Sequence, residues 1–98
     1  MTIALNLTIS IVVIEKLSEK HGVTRDEIEE CFYNRTKGLL EDTREQHQTT
    51  PPTMWFIAET DGGRHLKVVF IELENAAYEI KTAYEPNAEE VRIYEKYA

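Results

Sequence analysis

Residues 66–73, Leu66-Lys67-Val68-Val69-Phe70-Ile71-Glu72-Leu73, are apolar on both of their alternations: Leu66, Val68 and Phe70 on one side, Val69, Ile71 and Leu73 on the other. A strand with one wet face alternates polar and apolar residues, whereas a strand apolar on both sides needs cover on both. This segment therefore marks the centre of a sheet, and the rest of the chain must supply its neighbours and its cover. Met54 to Thr60 (MWFIAET) is aromatic and β-branched and reads as a second strand. Asp61-Gly62-Gly63 between the two is a hairpin turn signal. Glu74-Asn75-Ala76 turns the chain again, and Tyr78, Ile80 and Thr82 alternating with Glu79, Lys81 and Ala83 make a third strand, stopped by Pro86.

Helical patterns flank this core. Val13, Leu17 and His21 recur at every fourth position, Ile14 widens the stripe, and Gly22 supplies a left-handed residue to end a helix that begins after Ser10. Thr24-x-x-Glu27 is a capping box for a second helix, with Val23 and Ile28 as its hydrophobic staple and Ile28, Cys31 and Phe32 as its buried stripe, ending near Asn34. Asn87-x-x-Glu90 caps a final helix that would dock Val91, Tyr94 and Tyr97 on the sheet. Ahead of the first helix, Ile3, Leu5, Leu7 and Ile9 alternate with polar or small residues and suggest a strand or extended arm; Leu39 and Leu40 suggest a short strand. Glu45 to Pro52 holds no apolar side chain and reads as a surface loop. The expectation is one α+β domain over residues 1–98: two N-terminal helices, an antiparallel sheet of three to four strands, and a C-terminal helix.

Composition narrows the function. Eleven basic against 18 acidic residues give a formal charge of -7, which opposes long-range attraction of nucleic acid. A single cysteine, Cys31, can form neither an internal disulfide nor a cysteine-based zinc site, which points to a reducing, cytoplasmic compartment. No apolar run approaches the ~20 residues of a membrane span, and Ile11 to Ile14 lacks the flanks of a signal peptide.

The stretch richest in chemistry is Asp42-Thr43-Arg44-Glu45-Gln46-His47. Arg44 has the fork geometry to clamp a phosphate or carboxylate, and His47 exchanges a proton near neutral pH; the competing reading is a solvated loop. His21 reads as a helix-terminal or core histidine, His65 as exposed, and Cys31 as a small hydrophobe. The three histidines show no metal-ligand spacing, and no P-loop or dinucleotide fingerprint is present. Lys67 interrupts an otherwise apolar strand, either guarding an edge or lending positive charge to a cleft.

Lys20-His21-Gly22-Val23, the capped helix through Glu27 and Phe32, Trp55-Phe56-Ile57-Ala58-Glu59, a glycine turn, Leu66-Lys67-Val68-Val69-Phe70, and a last strand leading to a helix that ends Tyr94-Glu95-Lys96-Tyr97 together resemble BrnT-type toxins. These are small proteins of the RelE-like ribonuclease superfamily, encoded with an antitoxin. The likeness covers most of the chain after about Ile14. It implies a RelE-like fold, a bacterial cytoplasmic setting, an antitoxin partner, and RNA cleavage through the substrate's own 2′-hydroxyl with no cofactor or metal. Under it Arg44 and Lys81 would hold phosphate, His47 would act as general acid or base, and Tyr84 would orient the substrate. The family's last strand runs into a basic segment; here it reads Lys81-Thr82-Ala83-Tyr84-Glu85-Pro86, with Tyr84 and Glu85 where arginines are expected. That departure and the acidic charge motivate a second expectation, a catalytically inactive interaction domain whose N-terminal arm, Ile3 to Ile9, adds a strand to a partner or to a second copy in a homodimer. A third is a nucleotide or ADP-ribose binder using Arg44 and Trp55.

Overall fold

The computed structural model describes residues 5–43 and 51–98. Its elements run β1 (Asn6–Thr8), α1 (Ile11–His21), α2 (Arg25–Asn34), β2 (Leu40–Glu41), β3 (Thr53–Glu59), β4 (His65–Glu72), a 3₁₀ turn (Glu74–Ala76), β5 (Ala77–Tyr84) and α3 (Ala88–Tyr97). The five strands form one sheet in the order β1-β5-β4-β3-β2, an α+β fold with two N-terminal helices and a C-terminal one.

As the two-sided apolar pattern requires, β4 lies in the middle, antiparallel to both β3 and β5. Its register sets Leu66, Val68 and Phe70 opposite Ala58, Phe56 and Met54 on one face, and Lys67 and Val69 opposite Ile57 and Trp55 on the other. The first face is covered by α2. Its Phe32 ring lies 4.8 Å from Phe56, 5.4 Å from Phe70 and 5.2 Å from Tyr78, and Cys31 donates a long 3.6 Å hydrogen bond to the Ala58 carbonyl. Phe56, Phe70, Leu66, Val68 and Ile28 are fully buried there. The second face is covered by α3, where Tyr94 stacks at 5.7 Å from Trp55 and donates to the Gly38 carbonyl at 2.8 Å.

The helix boundaries follow their local chemistry. Ser10 caps α1 by accepting from the Val13 amide, and Gly22 at φ 60° lets the Gly22 and Val23 amides return to the Ser18 and Leu17 carbonyls. A side chain at that left-handed position would be strained even though the space around it is open. Both capping boxes form, Thr24 with Glu27 and Asn87 with Glu90. Arg64 then ties the end of α1 to the rest of the molecule. Its guanidinium donates to the His21 carbonyl at 2.6 Å and the Gly22 carbonyl at 2.9 Å while pairing with Glu85 at 2.9 Å. A cation at the carbonyl end of a helix meets the negative pole of its dipole.

Two details differ from the sequence pattern. The sheet has five strands and is mixed, because β1 pairs parallel with β5, placing Leu7 beside Tyr78. Period-two alternation announces a strand but not its partner, and the described part of the N-terminal arm is spent within the chain's own sheet. Tyr97 does not dock: it is 64% exposed, whereas Tyr94 is 5% exposed. The inward side of α3 is set by Glu90 and Tyr94, and Tyr97 carries the Lys96 ammonium 5.3 Å from its ring. Accordingly, Tyr94→Ala should cost about 3–5 kcal/mol of unfolding free energy, as for other buried aromatics. Tyr97→Ala should stay within about 0.5 kcal/mol; urea titrations of the two variants measure both, and equal losses would contradict this docking of α3.

Candidate functional site

Lysine in the middle of a buried strand requires a counter-charge, because an unpaired ammonium out of water is costly. Lys67 is 7% exposed, and its ammonium lies 2.7 Å from Glu90 Oε2. The same ammonium sits 4.5 Å from the Trp55 ring centroid and 5.7 Å from that of Tyr84, within cation–π range of both. Tyr84 donates its hydroxyl to Glu90 Oε2 at 2.8 Å, while Glu90 Oε1 accepts from the Asn87 amide at 3.0 Å. One carboxylate thus caps α3, neutralises β4 and anchors the end of β5. Burial pushes the Glu90 pKa up, but the hydrogen bonds from Lys67, the Asn87 amide and Tyr84 prevail and hold it below the usual glutamate value. Among the described residues no buried side-chain polar atom lacks a partner.

Of this cluster, Lys67, Glu90 and Trp55 line a cleft of about 530 Å³, together with Leu40, Glu41, Asp42, Thr43, Ile93 and Tyr97 among the described residues. Carboxylates outnumber ammonium groups three to one among these lining residues.

A second feature has the opposite sign. α1 packs along β5, and the groove between them, about 250 Å³, is lined by Lys16, Lys20, His21, Lys81, Thr82, Val12, Val13 and Leu17. It meets a depression of about 300 Å³ formed by Lys20, His21, Arg64, Tyr84 and Glu85. Lys16 and Lys20 enter no ion pair among the described residues, while Lys81 pairs with Glu79 at 2.8 Å. The His21 ring lies 5.7 Å from that of Tyr84.

The residues singled out in the sequence are thus distributed as follows. Arg44 and His47 lie outside the described residues. Lys81, at the irregularity where β5 shifts register against β4, is half exposed in the basic groove. Tyr84 stands between the two features, its hydroxyl on Glu90 and its ring beside His21. Trp55 is 8% exposed beneath Lys67. Cys31 is fully buried, and its thiol is pushed up to about 12, first by burial and then by Glu30 and Glu27, so it is no nucleophile. His65 pairs with Glu59 at 3.0 Å on the surface. Sequence reading took Glu90 only as a helix cap and gave Lys16 and Lys20 no site role. Lys16 and Lys20 at helical spacing i, i+4, ending in His21, were the available signal. Among the described residues no group of three or more His, Cys, Asp or Glu is placed to hold a metal ion, and no described helix is long and apolar enough to cross a membrane.

No protein-family model matches the chain, and no curated protein matches it.

Because the Glu90 pKa is lowered on folding, its contribution to stability is complete above the ordinary glutamate value and fades as pH falls through the depressed one. Glu90→Gln should therefore destabilise the protein at neutral pH, and the deficit against wild type should narrow between about pH 6 and about pH 3. Urea midpoints across that range test it; a deficit independent of pH would place the effect in packing instead.

Proposed function

We propose that this chain is a BrnT-like toxin-type domain that binds RNA along the groove between α1 and β5 and cleaves it in the bacterial cytoplasm, under control of an antitoxin protein. The observation that carries the reading is the gathering of Lys16, Lys20, His21 and Lys81 on one side of a molecule whose net charge is -7. Such a patch has no obvious structural purpose: Lys16 and Lys20 have no counter-charge among the described residues, and mutual repulsion of cations is a cost. A polyanion tracking the groove removes that cost and releases counterions.

The RNA supplies its own nucleophile, so the reaction asks of the protein proton transfer and charge stabilisation. The 2′-oxygen attacks the adjacent phosphorus and the 5′-oxygen leaves; one group takes the 2′-proton and another returns a proton to the 5′-oxygen. His21 has the chemistry for one of these transfers, Lys20 and Lys81 for holding the phosphate, and Tyr84, fixed by Glu90, for orienting the substrate. The resemblance assigned proton transfer to His47 and phosphate to Arg44 as well; in this reading they remain candidates for the second proton transfer and a further phosphate contact.

A second reading, an inactive interaction domain of the same fold, is favoured by one observation. The Lys67 ammonium and Tyr84 hydroxyl are both already committed to Glu90. The two readings part on RNA.

A labelled single-stranded RNA should bind with a log–log salt slope near about -2, the value for three phosphate contacts. Lys16→Ala/Lys20→Ala should flatten the slope to about -0.7, the value for the one contact that remains. His21→Ala should slow cleavage by about 10²-fold or more while binding persists. RNA binding that ignores the lysine pair, or growth of a bacterial host unaffected by induced expression, would hand the case to the interaction domain.

A further inference from the structure

At the end of the basic groove, Arg64 shares a depression with Lys20, His21, Tyr84 and Glu85. A guanidinium has five N–H groups to give. Here Nη1 donates to the Gly22 carbonyl at 2.9 Å and, at a long 3.5 Å, to Glu27 Oε2, while Nη2 donates to the His21 carbonyl at 2.6 Å. Those bonds tie α1 to the sheet. The side edge of the guanidinium, Nε with the adjoining Nη2, is used differently. Its Nε meets one oxygen of Glu85 at 2.9 Å, and Nη2 keeps a second N–H with no partner among the described residues.

Glu85 is a weak occupant of that edge. Its side chain is 66% exposed, against 25% for Glu27, which also closes the capping box of α2. An ion pair so open to water contributes little. Glu85 can therefore swing out while Glu27 and the two carbonyls keep Arg64 in place. Lys20, in no ion pair among the described residues, lines the same depression. An anion that displaces Glu85 gains a bidentate guanidinium edge and an ammonium. It must also outdo a carboxylate tethered beside that edge at an effective concentration on the order of millimolar. A phosphodiester brings no more charge than Glu85 does. A phosphate monoester, whose second pKa is about 6, brings twice as much, and a volume of about 300 Å³ admits it. One ion pair decides this site rather than a net charge. Residues 44–50 leave and rejoin the described chain near Thr53, which accepts from the Asp42 amide and faces Ile71. Ile71 lies six positions along β4 from His65, ~20 Å from the Arg64 end.

We propose that this depression is a binding site for a phosphate monoester, held closed by Glu85, whose carboxylate the ligand displaces from Arg64. In the RNA reading the groove tracks diesters of the backbone, and the site at its end takes a terminal phosphate. The site stands on the Arg64–Glu85 geometry whether or not RNA fills the groove.

The test titrates the full chain at about pH 8, where the monoester is a dianion, with methyl phosphate and separately with dimethyl phosphate. Backbone NMR shifts at residues 20–22, 64 and 84–85 report binding. Methyl phosphate should shift those residues, and dimethyl phosphate should bind more weakly. Glu85→Gln removes the competing charge at an exposed position and should tighten methyl phosphate about three- to tenfold. Lys20→Ala should weaken it by a similar factor and serves as the second variant should Glu85→Gln disturb the end of α1. Absence of shifts at tens of millimolar methyl phosphate in both wild type and Glu85→Gln, equal binding of the diester, or a folded Glu85→Gln that binds no more tightly would each overturn the proposal. Two RNA strands alike but for a 5′-phosphate then name the source. Tighter binding of the phosphorylated strand assigns the site to an RNA end, and equal binding assigns it to a free small ester. Methyl phosphate that binds where RNA does not would sink the groove reading and leave this site standing.

Discussion

A lysine on the central strand of a sheet covered on both faces has nowhere to place its charge except against the covering layer. That constraint organises one whole side of this molecule. Lys67 needs a carboxylate on α3, and Glu90 supplies it at 2.7 Å. Glu90 is also the third residue of α3, where it closes the capping box with Asn87. The helix can therefore start only where its cap and its ion pair are satisfied together, which fixes its placement along the sheet. Replacing both members by apolar residues could preserve stability, since a buried pair is often no better than good packing. The removal of one partner alone is the damaging change, because it strands the other charge.

The opposite face needs no such device. There α2 meets β3, β4 and β5 through aromatic edges, with Phe32 touching Phe56, Phe70 and Tyr78. Contacts of that kind tolerate small rotations, whereas a three-way hydrogen-bonded carboxylate does not. α1 is held by a third means, with Arg64 drawing its last carbonyls toward the sheet and Glu85 steadying the guanidinium. Each helix is thus attached by a different interaction: ion pair, aromatic packing and dipole capping. The charged attachments consume Lys67 and Arg64, and for that reason neither is a ready phosphate ligand.

Much of the fold was legible because it rests on local rules. Thr24-x-x-Glu27, Asn87-x-x-Glu90 and Gly22 mark helix ends through hydrogen bonds made within a few residues, and all three form as read. The double alternation of residues 66–73 fixed the centre of the sheet. What the sequence hid were contacts between distant segments. Nothing near Asn6 to Thr8 announces a parallel partner at Ala77 to Glu79. Glu90 was legible as a cap, but its second oxygen reaches a residue 23 positions away. Lys67 was the visible half of that pair, conspicuous as a charge in an apolar strand. The groove lysines were harder still, since Lys16 and Lys20 alternate with Glu15 and Glu19 along α1 and become a basic surface only once β5 brings Lys81 beside them.

Tyr84 links the basic groove mechanically to the α3 side of the sheet. Its ring faces His21 at the end of the basic groove, and its hydroxyl is held by the carboxylate that also anchors Lys67 under the acidic cleft. Arginines in this part of the strand, as the toxin-like pattern expects, would give the groove more charge but no link to α3. A tyrosine gives up that charge and gains a fixed orientation, because its two termini are held by different elements. Long-range attraction to RNA is correspondingly weak in a molecule of charge -7. In the proposed RNA reading, recognition would then depend on short-range geometry at the groove, and the Glu90 carboxylate that fixes Tyr84 would belong to the same site.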